Sequence, residues 1–134
     1  MSPIIDTNVL INAVKGNSSA KRVLDKHSGE KASITVINRY EFLRGVLGSR
    51  LNPAKREKLL ELLDRFKVYE FTSRTAYHCA EVYCKLKGRG SLVNELDILI
   101  LGICIENNEV LITSDRDFLT AAETVHVEIE FVNV

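Results

Sequence analysis

The 134-residue chain has no tryptophan, one methionine and only two prolines. With no repeated or low-complexity tract either, nothing points to a collagen-like, linker-rich or solenoid protein. Its three cysteines, Cys79, Cys84 and Cys104, are odd in number and show no C-x-x-C spacing. That argues against a disulfide framework or zinc ribbon and for reduced, buried thiols. Lys plus Arg balances Asp plus Glu at 18 each, so no overall field recruits nucleic acid or anionic membrane. The longest apolar run, Leu96 to Ile105, is interrupted by Asp97 and Gly102; a bilayer span needs about 20 residues. Residues 1–5 carry no charged segment leading into an apolar one, so no secretory leader and a cytoplasmic location are expected. A phosphate-binding P-loop, a dinucleotide G-x-G-x-x-G and a serine-hydrolase elbow are all missing.

What is present is an ordinary globular composition, 46% hydrophobic and 27% charged. The length suits a single domain spanning 1–134. Short β-type runs alternate with helical patterns. Pro3-Ile4-Ile5, Ala32–Val36, Val68–Phe71 and Val110–Thr113 read as strands, and the alternating segment Val125–Phe131 reads as a half-exposed edge strand. Helical periodicity covers Thr7–Lys15 and a stretch after Ser18 whose apolar face is Ala20, Val23, Leu24 and His27. A helix is expected to begin at Asn38, another after Asn52-Pro53, and another capped by Ser73 that reaches about Leu86. Residues 94–106 form a helix apolar nearly all round, which should lie deep in the fold. Strands separated by helices predict an α/β fold in three layers, with a central parallel sheet of about five strands and helices on both faces. In such sheets the site lies outside the carboxyl ends of the strands.

Acids stand at those ends. Asp6 follows Ile4-Ile5 directly, Asp115 lies two residues past Thr113 with Asp117 behind it, and Glu41 and Asp97 fall in the first turns of their helices. Taken singly, each has a plain explanation. Glu41 is three residues after Asn38, Asp97 three after Asn94 and Asp117 three after Ser114, so each fits a helix cap as well as a ligand. An ionised Asp6 at the end of a buried strand is costly without a partner. Capping does not explain the convergence. Two carboxylates 4 Å apart repel by about 4 kcal/mol at an effective dielectric near 20. Such a cluster protonates in part unless a cation sits in it, and all-oxygen donors favour a hard ion, Mg2+ or Mn2+. Phosphodiester hydrolysis is the chemistry that fits. His27, His78 and His126 have no ligand spacing.

Four segments in order then resemble the PIN-domain ribonucleases, and among them the VapC-type toxins of toxin–antitoxin pairs. They are Ile4-Ile5-Asp6-Thr7-Asn8-Val9-Leu10-Ile11, Val36–Gly45, Glu95–Ile100 and Leu111–Phe118. The resemblance covers essentially the whole chain. It implies a PIN-like fold, a Mg2+- or Mn2+-dependent endoribonuclease with an RNA substrate, a homodimer held by helices, and a small antitoxin that inserts a segment near the site. By motif position the four catalytic and metal-holding acids are Asp6, Glu41, Asp97 and Asp115, with Asp6 and Asp97 the direct ligands. Asn8, Thr113 and Asp117 are supporting candidates. Arg44 and a basic loop, Lys85, Lys87 and Arg89 around Gly88 and Gly90, are candidate RNA contacts. The chain departs from the family at Leu99-Ile100-Leu101-Gly102, where Ala-Ala is frequent; a change in helix packing is expected there. The alternatives are a PIN-domain RNA-processing factor or a non-catalytic scaffold. A dehalogenase-type phosphatase would need an acid where Asn8 stands, and a receiver domain would need acids before Asp6.

Overall fold

The computed structural model describes residues 2–27 and 32–134. Five strands form one sheet: β1 (Ile4–Ile5), β2 (Ser33–Thr35), β3 (Lys67–Tyr69), β4 (Leu111–Thr113) and β5 (Ile129–Phe131), in the order β3-β2-β1-β4-β5. Every pairing is parallel, as expected. The helices are α1 (Thr7–Val14), α2 (Ser18–Lys26), α3 (Val36–Leu47), α4 (Pro53–Leu63), α5 (Ser73–Gly88), α6 (Glu95–Asn107) and α7 (Asp117–Val125).

The period-2 geometry of strands sorts the core into two halves. Ile4 and Leu111 pack with Leu86, Ile98, Leu101 and Phe118 of α5, α6 and α7. Ile5, Ile34 and Ile112 pack on the other face with Val9, Leu10, Phe42 and Leu63 of α1, α3 and α4. Helices therefore cover both faces, giving the three predicted layers. Helix α6 carries more buried residues than any other described helix: Ile98, Ile100, Leu101, Gly102, Ile103 and Cys104. It packs chiefly on α5, and Gly102 sets how closely. A Cβ there would collide with the Cys79 thiol and stand 3.1 Å from the Cys79 backbone nitrogen.

The element boundaries correct several expectations. Helix α3 starts at Val36, not Asn38, because Thr35 caps it and shares a reciprocal capping box with Asn38. The Val68–Phe71 strand is shifted to Lys67–Tyr69. Helix α5 is capped by Thr72, not Ser73. It continues through Lys85 and Lys87 to Gly88, so these lysines are helical rather than in a loop. Gly90, at φ +65, supplies the left-handed turn that ends it. Of the segment expected as a strand from Val125, only Ile129–Phe131 is extended. Val125 closes α7, whose buried face is Phe118, Ala121, Ala122 and Val125. Cys79 and Cys104 are buried thiols, but Cys84 is exposed. Among the described residues no helix is long and apolar enough to cross a membrane.

Candidate metal centre and active site

From β1 the chain steps outward to β2 and β3, then returns to lay β4 on the other side of β1. A crevice opens where strand order reverses, at the carboxyl ends of β1 and β4. Asp6 leaves β1 at that point. It is only 4% exposed and caps α1, accepting from the Thr7 amide at 2.8 Å. Its second oxygen accepts from the Thr113 hydroxyl at 2.7 Å, across to β4. The same Thr113 oxygen accepts from the Asp115 amide at 3.0 Å, so one hydroxyl joins the Asp6 carboxylate to the Asp115 backbone. Asn8 contributes from α1, its side-chain oxygen accepting from the Ser114 amide at 3.3 Å. Asn8 and Thr113 thus tie together the two segments that carry Asp6 and Asp115.

On the other flank, Glu41 lies in the second turn of α3, since the helix starts earlier than expected. It does not cap; its carboxylate accepts from the Thr7 hydroxyl at 3.2 Å. The buried Asn38 donates to Asp6 Oδ1 at 3.1 Å and to the Thr7 hydroxyl at 3.3 Å, while its own oxygen accepts from Thr35. Asn38 and Thr7 are the site residues that the sequence reading missed. The signal was Thr35-x-x-Asn38, a capping box in which Asn takes the usual Glu or Gln place and keeps its amide free for Asp6.

Asp97, in the first turn of α6, caps nothing either. Asn94 caps that helix through the Leu96 amide. Asp117 is exposed, and the Asp115 carboxylate, not Ser114, receives its amide at 2.9 Å.

The electrostatics bring the acids together. Burial pushes the Asp97 carboxyl up to about 7, and the charges of Asp6, Asp115, Glu41 and Asp117 push the same way. Burial likewise raises Asp6 to about 6; the Thr113 hydrogen bond opposes this, while Glu41 and Asp115 add to it. Burial also raises Glu41, against the Thr7 hydrogen bond and the Arg44 charge. No Lys or Arg among the described residues is ion-paired with any of the four acids. As placed, no three His, Cys, Asp or Glu side chains among the described residues could hold a metal ion in common. The acids stand within repelling range, short of a closed cage. Arg44 lies over the Tyr40 ring at 5.1 Å. Of the basic segment, Lys87 lies over Tyr83 at 5.8 Å and Arg89 caps the end of α5.

The PIN domain family model matches residues 4–124. The chain belongs to the PIN-domain family. Ribonuclease VapC1 of Methanocaldococcus jannaschii is 29% identical over 114 residues, which cover 84% of this PIN domain and 75% of that protein. VapBC2 from Rickettsia felis, solved bound to a DNA fragment from its promoter, superposes with a TM-score of 0.86 at 21% identity, covering 99% of this chain and all of that one. VapBC-5 from Mycobacterium tuberculosis, a member of a family of toxin–antitoxin systems, gives 0.68 at 25% identity over 75% of this chain and 82% of its own.

Proposed function

We propose that this PIN domain is a divalent-metal-dependent endoribonuclease and the toxin of a toxin–antitoxin pair. The observation that carries the reading is the meeting of Asp6, Glu41, Asp97 and Asp115 at the strand-order reversal, where they repel one another and none is ion-paired with a Lys or Arg among the described residues. The donor set is all carboxylate oxygen, which suits Mg2+ or Mn2+ and not zinc. Asp6 and Asp97 would hold the ion, with Glu41 and Asp115 completing the pocket. A cation bound there would offset the mutual repulsion of these carboxylates. When bound, it neutralises charge on phosphate and makes water a stronger acid.

The chain's own residues do the positioning. Thr113 fixes the Asp6 carboxylate, Thr7 aims Glu41, and Asn38 and Asn8 lock the strand exits to their neighbours. Glu41, with its raised pKa and partial burial, orients the attacking water. Asp117 lies outside this set because it is exposed and acts on Asp97 more weakly than the others. Arg44 meets the RNA backbone at the rim; Lys85, Lys87 and Arg89 give weaker, outlying contacts. An RNA substrate sets the cytoplasm as the place of action.

The naming of VapC1 as a ribonuclease and of VapBC-5 as a toxin–antitoxin system supports this assignment. For the antitoxin, the fitting surface is a cleft of about 430 Å3 between α1, α3 and α4, lined by Ile11, Val14, Phe42, Val46 and Leu59. Exposed Tyr40 and Leu47 on α3 and Tyr77 on α5 supply apolar faces for a homodimer. The deciding experiment incubates the purified protein with RNA and Mg2+ or Mn2+. Cleavage that stops on chelation and in Asp97→Asn is expected; cleavage by the variant at the wild-type rate would end the reading.

A further inference from the structure

Arg116 stands between Asp115 and Asp117 and is exposed, yet among the described residues it pairs with neither. Its guanidinium instead lies over the Phe131 ring, 5.2 Å from the centroid. Phe131 is on β5 in register with Thr113, the residue that holds Asp6, so this mount stands one strand away from the acids. On the opposite flank Arg44 is mounted on Tyr40 in the same manner. An acidic pocket repels a polyanion. Cations held over aromatic rings at the rim, one Arg44 N–H donating to the Tyr40 hydroxyl and the remaining donors left for phosphate, are what a strand of RNA needs to cross it.

We infer that Arg116, seated on Phe131, forms an RNA subsite that takes a backbone phosphate beside the one being cut. The strand runs across the carboxyl edge of the sheet from the Arg44 side to the Arg116 side, with the acids between. Phe131 fixes the guanidinium plane, and the fork of N–H donors grips the phosphate. Arg116 positions the RNA; it does not touch the reacting bond. This inference rests on the ribonuclease reading above.

The test uses the full chain and a single-stranded RNA oligonucleotide. Affinity is measured by fluorescence anisotropy in chelator, so that nothing is cut, and KM and kcat are measured with Mn2+. Arg116→Ala is expected to weaken binding and raise KM roughly tenfold, with kcat within about twofold of wild type. The slope of log affinity against log salt should become shallower by about 0.7, the value for one phosphate contact on a single strand. Arg116→Lys keeps the slope but recovers only part of the affinity. Arg74→Ala, which removes the same charge from the start of α5, is expected to bind like wild type. An Arg116→Ala protein with unchanged KM and salt slope, or an Arg74→Ala protein equally weakened, overturns the inference while the wild type still cuts. A wild type that neither binds nor cuts RNA overturns the ribonuclease reading and this subsite together.

Discussion

Thr113 is a small residue with two partners that matter. Its hydroxyl donates to Asp6 and accepts from the Asp115 amide, so a single oxygen fixes both sides of the crevice. Thr113→Val keeps the shape and removes both bonds. It is expected to lower metal affinity or cleavage rate by about 10- to 100-fold, whereas Thr113→Ser restores most of the activity. Asp97→Asn is expected to lower cleavage by roughly a hundredfold or more at unchanged fold, read by RNA cleavage and circular dichroism. The acids also set a pH dependence. Asp6 and Asp97 have folded-state values of about 6 and 7, above those of an unfolded chain. The folded, metal-free protein therefore holds protons that the unfolded chain has released. Stability in chelator falls as pH rises from about 4 to about 7, because in the fold both acids must ionise while buried and beside other carboxylates. Melting curves in chelator across that range test the sign. Asp97→Asn should flatten the curve, and Mn2+ should raise the melting temperature more at pH 8 than at pH 5.

At the scale of elements, most of the fold was legible in the sequence because its signals are local. Asn52-Pro53 starts α4, with Asn52 accepting from the Lys55 amide, and the apolar run of α6 becomes the buried helix it predicts. Errors arose where two local signals compete. At residues 35–38 both Thr35 and Asn38 are good caps, and the strand-end Thr35 wins because Asn38 can bond back to it. That choice moves Glu41 out of the first turn and frees the Asn38 amide for Asp6, which periodicity alone does not reveal. Near the C-terminus, Val125, Val127, Ile129 and Phe131 alternate as a strand should, but Val125 also completes the i, i+3, i+4, i+7 face from Phe118. Burial of that face decides for the helix. The meeting of α5 and α6 at Gly102 makes a prediction of its own. Gly102→Ala is expected to destabilise the protein by about 1–3 kcal/mol through overpacking on Cys79, and Cys79→Ala in the same chain should recover part of the loss. Urea unfolding of the single and double variants measures it.

For the molecule as a whole, the sheet order does what no single motif does. It brings residues 6, 41, 97 and 115 to one crevice and turns four ordinary acids into one electrostatic unit. Their sequence positions were legible; the hydrogen bonds that hold them were not, since Asn38 to Asp6 and Thr113 to Asp6 span 32 and 107 residues. None of the four acids lines the apolar cleft between α1, α3 and α4, so the antitoxin surface proposed there can be altered without replacing them. Val14→Asp, which places a charge at its exposed wall, is expected to abolish antitoxin binding in a pull-down while leaving RNA cleavage within about twofold.

Anomalous diffraction from a crystal soaked in Mn2+ at pH 8 tests the central claim most directly. The account predicts a strong peak between the carboxylates of Asp6 and Asp97, with Glu41 and Asp115 turned toward it. A map with no peak there, while the four acids keep their mutual distances, would contradict it.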